Sequence, residues 1–366
     1  MKAECITTKF QNAISKAERV TGKNLTLPIL GYVLIEAKSN TITFKSTNLD
    51  IGVEITIPAK VEIPGTIAVP GSILNNFISN LSDEKNIKLE IVDGNLSVSS
   101  QFSATVIKSI PHDDFPIIPK VDKDKTFSIH ALDFIKGLRS VWYSSATSSM
   151  KPELSSVYIY PDDEGMVFVA TDSFRLAEKR VKVKKAPVFN HILIPFKNIP
   201  EIIKVLEDVE GEIEVSLGKT QLSLISNGVY LVSRIIDGMF PDYKQIIPKE
   251  SKTEVITLKQ DLINSLKISN IFSDKFHQIN IKADPKERVF ELKTKNNEVG
   301  ENVNRLQAAL NGESVDINFN YKYIIDCFQS IDADSVSLNF NGLNRPMIIR
   351  GVTDKTFMYL VMPMNR

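Results

Sequence analysis

The sequence predicts an α+β fold that consists of three copies of one unit, each made of two halves with the pattern strand, helix, strands. Each third of the chain opens with a short apolar strand followed by an amphipathic helix. In the second half of each third, another strand leads into another candidate helix, which starts near Pro70, Pro195 and Asn320. These positions lie at a constant interval of 125 residues (195 − 70 and 320 − 195), which indicates an internal repeat.

The opening helix of each third is predicted from apolar residues at helical spacing. The positions concerned are Phe10, Ile14, Ala17 and Val20 in the first third, Leu132, Ile135, Leu138 and Trp142 in the second, and Leu258, Leu262, Leu266 and Ile268 in the third. Strand pairs are predicted after these helices, at 33–37 with 41–46, 157–160 with 166–170, and 279–282 with 289–294.

The second half of each third repeats the pattern. Helices are predicted at 72–81, 198–206 and 321–329, and hairpins follow them at 87–92 with 96–100, 213–217 with 221–226, and 336–340 with 347–350. The stretches 116–126 and 248–252 are rich in Pro, Lys and Asp, which is typical of linkers. We therefore expect three domains, at 1–120, 126–248 and 252–366. The alternative is coincidence among generic α+β segments, which would have to produce three matches in order.

Composition narrows the class of protein. A chain of 366 residues is too long for one ordinary core. Lys and Arg together number 44, as do Asp and Glu, which argues against coating of nucleic acid by bulk charge but allows a basic stripe on one face. Cys5 and Cys327 cannot build a metal or disulfide framework. No apolar run reaches the ~20 residues of a membrane helix, and no signal-peptide region is present. We expect a cytoplasmic protein without cofactor, metal or membrane.

The titratable residues form no recognisable catalytic motif. The four histidines fall in different units without metal-ligand spacing, at His112, His130, His191 and His277. Asp113 and Asp114 are adjacent in a segment before a proline, which is typical of a solvated turn rather than an acid–base pair. We expect no catalytic residue, and an α+β repeat enzyme with a site at a domain junction stays open as the alternative.

Two stretches stand out from the repeat. Residues 171–177, Thr-Asp-Ser-Phe-Arg-Leu-Ala, lie between an apolar strand at 166–170 and a predicted strand at 178–183, and Asp-Ser is turn chemistry. An ordinary hairpin explains this stretch equally well. Residues 360–366, Leu-Val-Met-Pro-Met-Asn-Arg, are apolar where a chain end is normally polar, and flexible Met side chains suit an adaptable binding surface.

Together these two stretches resemble the bacterial DNA polymerase III β subunit, the sliding clamp family. In that family a T-D-G-H-R-L-A-like turn and an M-P-M-x tail line one peptide-binding cleft. The resemblance includes Leu-Pro-Ile-Leu-Gly at 27–31 and Phe-Pro-Asp-Tyr at 240–243, and it runs in register along all 366 residues. Ser173 and Phe174 depart from the usual Gly-His, and Gln245 stands where some relatives have Arg, which bears on peptide preference.

The resemblance implies a DNA-clamp fold that closes as a homodimeric ring, with helices inside and sheets outside. It implies a processivity factor, not an enzyme, which encircles duplex DNA without reading its sequence and is loaded by an ATP-driven clamp loader. The implied partners are a second copy of the chain, the DNA polymerase III α subunit, the clamp loader δ subunit and other proteins with a clamp-binding motif of the Gln-Leu-apolar-Phe type.

The resemblance also implies the residues of the peptide cleft. They are Leu154, Thr171, Ser173, Phe174, Arg175, Leu176, Pro241, Ile246, Phe276, Asn320, Tyr323, Pro346, Met347, Val361, Met362, Pro363 and Met364. An apolar groove with a few polar groups is the usual form of such a site. Arg175 is expected to orient local backbone or to pack its stem, and a structural ion pair is the alternative.

Basic residues on or beside the predicted helices form a candidate DNA-facing set. They are Lys9, Lys16, Arg19, Lys23, Lys136, Arg139, Lys197, Lys204, Lys259 and Lys267. Lys9 and Lys16 are seven residues apart and share a helix face, which could follow phosphates without reading bases. An ordinary solvated surface is the alternative for each lysine. Lys23 stands where many relatives carry Arg.

The last set of candidate residues concerns the association of domains and of chains. Repeated domains with open edge strands can pair end to end, either within one chain or between two chains. The resemblance favours two chains, with a seam between the first domain of one and the third domain of the other. Phe102, Ile271 and Phe272 stand where family members place interface apolar residues, and core packing is the alternative.

Overall fold

A computed structural model describes residues 1–22, 27–81, 85–122, 125–148, 150–183 and 187–364. The α-helices are α1 Thr7–Arg19, α2 Gly71–Ser79, α3 Ala131–Val141, α4 Ile199–Leu206, α5 Lys259–Ile271 and α6 Tyr321–Asp326. Short 3₁₀ helices span Pro28–Gly31, Trp142–Ser144, Phe196–Asn198, Tyr243–Ile246 and Cys327–Ser330. Within these ranges no helix has the length and apolarity needed to cross a membrane.

The strands of the first half are β1 Lys2–Ile6, β2 Tyr32–Lys38, β3 Thr41–Thr47, β4 Ile51–Pro58, β5 Lys60–Ile63, β6 Gly65–Pro70, β7 Asn86–Val92, β8 Asn95–Ser99, β9 Ala104–Ile107, β10 Thr126–His130, β11 Ser156–Asp162, β12 Gly165–Thr171 and β13 Arg175–Lys182. Those of the second half are β14 Ile192–Pro195, β15 Glu212–Leu217, β16 Gln221–Ser226, β17 Val229–Arg234, β18 Thr253–Leu258, β19 Gln278–Asp284, β20 Val289–Asn296, β21 Gly300–Arg305, β22 Ala309–Gly312, β23 Val315–Asn320, β24 Ser335–Phe340, β25 Met347–Gly351 and β26 Phe357–Val361.

The chain divides into two compact units. Unit 1 comprises Met1–Ile135 and Lys197–Asp237 and contains a five-stranded sheet, β5-β1-β7-β8-β9, and an eight-stranded sheet, β10-β15-β16-β17-β4-β3-β2-β6. Its core includes Phe10 of α1, which meets Phe44 of β3 edge to face with ring centroids 4.8 Å apart. The buried Ser46 hydroxyl donates to the Ala17 carbonyl at 2.6 Å, which fixes α1 on its sheet.

Unit 2 comprises Lys136–Phe196 and Gly238–Arg366. It contains a nine-stranded sheet, β14-β11-β12-β13-β26-β25-β24-β18-β22, and a four-stranded sheet, β21-β20-β19-β23. Alternate side chains of β12 point to opposite faces of the large sheet. Phe168 faces Gly137 of α3 so closely that a Cβ atom on Gly137 would lie 2.5 Å from the ring. This close packing explains a glycine in the interior of a helix, where glycine is otherwise unfavourable.

The large sheets of the two units have the same architecture. The order β6-β2-β3-β4-β17-β16-β15-β10 in unit 1 corresponds strand by strand to β14-β11-β12-β13-β26-β25-β24-β18 in unit 2, and all these neighbours are antiparallel. The same series appears in the smaller sheets as β23-β19-β20-β21 and β1-β7-β8-β9. Each small sheet thus has the strand order of one half of a large sheet.

Most predicted elements are confirmed, including the six helices and the hairpin on either side of 171–175. Some details are corrected. Leu132, Leu258 and Ile268 are exposed, whereas Phe134 and Leu138 of α3 and Leu262 and Leu266 of α5 are buried. Leu258 ends β18 and does not lie on α5. The helix predicted at 321–329 is α-helical only to Asp326 and then tightens into a 3₁₀ turn. Strands β4, β5, β9, β17, β21, β22 and β26 were not predicted.

Candidate functional site

The turn between β12 and β13 is built by local hydrogen bonds. The Thr171 hydroxyl donates to the Arg175 carbonyl at 2.6 Å. The Asp172 carboxylate accepts from the backbone N–H groups of Phe174 at 2.9 Å and Arg175 at 3.0 Å. Ser173 has φ +79°, a left-handed conformation that favours glycine. Thr171 and Asp172 therefore serve to shape the turn.

The equivalent turn in unit 1, between β3 and β4, has the same construction. The Thr47 hydroxyl donates to the Ile51 carbonyl at 2.9 Å, and Asn48 accepts from two backbone N–H groups as Asp172 does. Leu49 has φ +75°, matching Ser173. The turn itself is thus a structural device of the repeat, and any function specific to unit 2 must come from the side chains at its end.

Arg175 is held by three groups on different parts of unit 2. Its Nε donates to Asp172 at 3.1 Å, Nη1 to Asp326 at 2.5 Å and Nη2 to the Tyr143 carbonyl at 2.7 Å. Burial opposes the charge, but Tyr359, Asp326 and Asp172 more than offset it and raise the pKa of Arg175. The guanidinium therefore stays charged. Both expectations for Arg175 apply, because it makes ion pairs and also fixes backbone.

An aromatic and methionine surface surrounds this arginine. The Arg175 guanidinium lies 4.7 Å from the centroid of the Tyr323 ring, and the Phe174 ring stacks against Tyr323 at 6.5 Å between centroids. The Met362 N–H donates to the Phe174 carbonyl, and the Met364 N–H to the Asn318 carbonyl, each at 2.8 Å. The tail is thus fixed beside the turn, and β26 pairs Val361 with both Arg175 and Met347.

The start of α6 fixes another side of the surface. The Asn320 side chain caps the helix by accepting from the Lys322 N–H at 2.9 Å. Its amide nitrogen lies 3.5 Å from the Phe276 carbonyl, and the Phe276 ring is exposed. One asparagine therefore places both the helix and the exposed Phe276.

A segment that starts with Phe240 and Pro241 covers part of the same sheet. Tyr243 is buried and donates to the Glu178 carboxylate at 2.6 Å, and its oxygen lies 2.9 Å from that of Tyr160. Burial and the adjacent carboxylate raise the pKa of Tyr243. Tyr243 packs with Leu176 and other apolar side chains of the sheet, which leaves Ile246 half exposed at the surface.

The structure sorts the predicted cleft residues by exposure. Exposed members are Ser173, Phe174, Pro241, Ile246 and Phe276; partly buried members are Arg175, Asn320, Tyr323, Met362, Pro363 and Met364; buried members are Leu154, Thr171, Leu176, Pro346, Met347 and Val361. The buried set supports the surface from below. Asp326 and Tyr143, which hold Arg175, were missed because they lie far from it in sequence.

The unit 1 counterpart of this surface is charged. Asp50 occupies the place of Phe174, because its carbonyl accepts from the Arg234 N–H as that of Phe174 accepts from Met362. The Asp50 carboxylate pairs with Lys197 at 2.5 Å and lies 3.5 Å from Arg234. An apolar surface at this turn is therefore found in unit 2 and not at the matching position of unit 1.

The candidate DNA-facing residues differ in their exposure and in their partners within the chain. Lys9, Arg19, Lys136, Arg139 and Lys267 are exposed. Lys197 and Lys204 are exposed but paired with Asp50 and Glu207, and Lys259 donates to the Ile331 carbonyl at 2.9 Å. Lys23 lies outside the described residues.

The structure corrects the prediction for Lys16. This residue is only 7% exposed, and its ammonium group lies 3.6 Å from the Asp208 carboxylate, so Lys16 does not share an exposed face with Lys9. Burial lowers the pKa of Lys16, an effect that Asp208 opposes. The helical spacing was right, but packing of the loop at 208 covers the second turn of that face.

The three candidate interface residues are not core residues. Phe102 is 82% and Ile271 68% exposed, while Phe272 is partly buried. Phe102 lies two residues before β9, at the end of the five-stranded sheet. Ile271 ends α5, which is attached to β21 where Asn304 donates to Ser269 at 3.1 Å. Core packing is therefore wrong for the two exposed side chains.

Known proteins resemble this chain along its whole length, both in sequence and in fold. The models of the N-terminal, central and C-terminal domains of the DNA polymerase III beta subunit match residues 1–119, 128–242 and 244–365. The chain belongs to the DNA polymerase III β subunit family. Members of this family are sliding clamps that act with DNA and the polymerase as processivity factors, and the enzyme alternative is therefore wrong.

Individual relatives are distant in sequence and similar in fold. The beta sliding clamp of Bacillus subtilis is 24% identical over 376 residues, which cover 98% of this chain and 97% of the relative. The crystal structure of the β subunit from Thermotoga maritima has a TM-score of 0.92 at 26% identity and covers 100% of this chain and 99% of that one. A Pseudomonas aeruginosa sliding clamp bound to griselimycin has a TM-score of 0.92 at 22% identity, with 100% of both chains covered.

Proposed function

We propose that this clamp binds short peptide motifs of replication and repair proteins on the surface formed by Phe174, Arg175, Tyr323 and Met362 in unit 2. The observation that carries the proposal is the contrast between two equivalent turns: the one in unit 1 ends in the Asp50 ion pairs, and the one in unit 2 ends in aromatic and methionine side chains. Apolar grooves with few polar groups suit peptide side chains. The partners proposed are the DNA polymerase III α subunit, the clamp loader δ subunit and other clamp-motif proteins, in the cytoplasm.

We further propose that two chains close the ring through the ends of the small sheets. In the large sheets, β17 pairs with β4 and β26 pairs with β13. Their equivalents β9 and β21 lie at sheet ends and have a described neighbour on one side only, and each exposes an apolar side chain, Val106 and Val303. Unpaired apolar edges favour association. Antiparallel pairing of β9 in one copy with β21 in another would repeat the junction already present twice in the chain.

The proposed ring contains six domains, three from each chain at 1–120, 126–248 and 252–366. The exposed helix cations Lys9, Arg19, Lys136 and Lys267 would follow phosphates, with a smaller share from Arg139, Lys197, Lys204 and Lys259, each of which has a partner within the chain. Weak contacts of this kind suit sliding, because each phosphate contact adds to the salt dependence of binding. Retention would then come from enclosure.

The peptide surface is tested with the variant Met362→Ala, Met364→Ala and a fluorescent peptide of the Gln-Leu-apolar-Phe type. We expect the dissociation constant to rise at least tenfold, because two flexible apolar contacts are removed. The matched control is Ile117→Ala, Val188→Ala, which truncates two side chains that are 92% and 93% exposed elsewhere. Both variants should keep the mass of the wild-type oligomer. Equal peptide affinity in the methionine variant and the wild type would refute this placement of the site.

A further inference from the structure

A further concave surface lies on one face of the large sheet in unit 2. Leu176, Glu178 and Arg180 alternate along β13 and therefore point to one face. The cleft has a volume of about 530 Å³, and its lining residues are Glu178, Arg180, Lys244, Ile247, Pro248, Lys249, Arg350, Lys355, Thr356, Phe357 and Met358. This cleft contains none of the residues of the proposed peptide surface. We call it the basic cleft.

The charge of the basic cleft is strongly one-sided. Its single carboxylate, Glu178, accepts from Tyr243 and from Arg180, and Arg180 is also paired with Asp162 at 2.8 Å. The other cations of the lining are Lys244, Lys249, Arg350 and Lys355. In the part of the chain that the structure describes, none of these four lies within ion-pair distance of a carboxylate. These four positive charges therefore have no ion-pair partner in the lining, and Lys244 also borders a neighbouring cavity lined by Asp162, Asp163 and Glu164.

The remaining lining is apolar. Ile247, Pro248, Phe357 and Met358 contribute to it, and the Arg350 guanidinium lies 3.3 Å from the Met358 sulfur. Bare phosphate groups would gain nothing from an apolar lining of this kind. A peptide with acidic side chains beside apolar ones would use both the cations and the apolar surface.

The position of the basic cleft also favours a peptide over the duplex. Phe168 points from the sheet towards Gly137 of α3, whereas Val167 and Val169 point to the opposite face and pack with Leu176 and Met358. The basic cleft is therefore on the face away from α3, whose Lys136 and Arg139 belong to the proposed DNA-facing set. It is continuous with the peptide surface, because Ile247 and Met362 pack against one cluster.

We propose that the basic cleft binds an acidic segment that flanks the clamp-binding motif of a partner peptide. This inference rests on the proposed function of the peptide surface. Leu176 and Arg180 are four residues apart on β13, a separation of about 13 Å at the usual rise of a strand. About four extended residues between the motif and the acidic segment would span that distance.

Three fluorescent peptides test the proposal on the full chain: the motif alone, the motif with four Gly/Ser residues and an Asp/Glu/Leu segment at either end, and the acidic segment alone. We expect the acidic extension at one end to tighten binding about fivefold at 50 mM salt, the effect of one to two exposed ion pairs, and the gain to shrink at 300 mM salt. In Arg350→Gln, Lys355→Gln the gain should disappear while the motif alone binds as before.

The control variant, Lys219→Gln, Lys286→Gln, removes two exposed positive charges that do not line the cleft and should keep the full gain. No gain in the wild type at either end, or an equal gain in the Arg350 and Lys355 variant, would overturn the proposal while leaving the peptide surface intact. Displacement of the acidic segment by a short oligonucleotide at equal charge would assign the cleft to nucleic acid and would also overturn it.

The two proposals fail separately. If the motif alone does not bind to the wild type, the peptide surface is wrong. The acidic segment alone, measured on the wild type and on the Arg350 and Lys355 variant, then decides the basic cleft. Weaker binding to the variant supports the cleft, and equal binding refutes it.

Discussion

At the scale of single residues, the site contains side chains that build the turn and side chains that are exposed at its surface. Thr171 and Asp172 have counterparts in Thr47 and Asn48 with the same hydrogen bonds, so the repeat alone explains them. Phe174 has the charged Asp50 as its counterpart. Few positions of the seven-residue motif therefore distinguish the turn of unit 2 from that of unit 1.

Ser173 is the residue at which this chain departs most clearly from the backbone preference of its turn. A residue with a Cβ atom at φ +79° is strained by about 1 kcal/mol, a cost that glycine does not have. We expect Ser173→Gly to raise the melting temperature by about 1–3 °C. Calorimetry at neutral pH measures this shift.

Ser173→Ala is the matched control, because it removes the hydroxyl and keeps the Cβ atom. It should leave the melting temperature unchanged or lower it slightly. A rise of the same size in both variants would mean that the side chain, and not the backbone angle, limits the stability of this turn.

Residue-level prediction from the sequence succeeded where a local pattern was sufficient. The turn at 171–175 is recognisable because its hydrogen bonds join residues two to four positions apart. The role of Asp326 was not predictable, since it reaches Arg175 across 151 residues. Lys16 was predicted wrongly for the same reason: the loop that covers it, with Asp208, is remote in sequence.

At the scale of elements, apolar periodicity identified the helices and many of the strands. It missed β4 and β17 at the centre of the eight-stranded sheet and β9 and β21 at the ends of the small sheets. Strand β21, Gly-Glu-Asn-Val-Asn-Arg, has one apolar residue, and β9 is four residues long. Such segments carry little pattern because edge strands pack less than central ones. They are visible only once their neighbours β20 and β8 are placed.

The proposed pairing of β9 with β21 gives the element-scale prediction. Phe102→Asp and Ile271→Asp each place a charge beside one of these edges, on side chains that are already exposed within a single chain. We expect both variants to stay folded and to shift from twice 41.0 kDa towards 41.0 kDa at micromolar concentration. Burial of an unpaired carboxylate in the contact is the physical reason. Light scattering with circular dichroism measures both properties.

Ile117→Asp is the control, because Ile117 is 92% exposed but does not lie in either small sheet. It should keep the mass of the wild type. A wild-type chain that stays at 41.0 kDa at all concentrations would contradict the pairing and leave only the repeat architecture standing.

At the scale of the whole molecule, the order of strands shows which sheets are complete and which end early. Each large sheet joins two series of four strands, through β4 and β17 in one sheet and through β13 and β26 in the other. Each small sheet contains only one such series and ends at the equivalent strand, β9 or β21. The interval of 125 residues predicted the repeat. The strands proposed to complete a sheet between copies could not be predicted from periodicity, because a pattern of apolar residues does not identify which strand lies at an edge.

The final prediction concerns the enclosure of DNA by the proposed ring. A closed ring on circular DNA is retained by topology, whereas a protein held by phosphate contacts is released as salt rises. After loading by a clamp loader with ATP onto nicked circular DNA, we expect the wild type to co-elute with the circle at 0.5 M salt. Cutting the circle once should release it, because the ring can slide off an end. Phe102→Asp should not be retained on either form. Equal retention on cut and uncut DNA would show that binding is electrostatic and that the chain does not encircle the duplex.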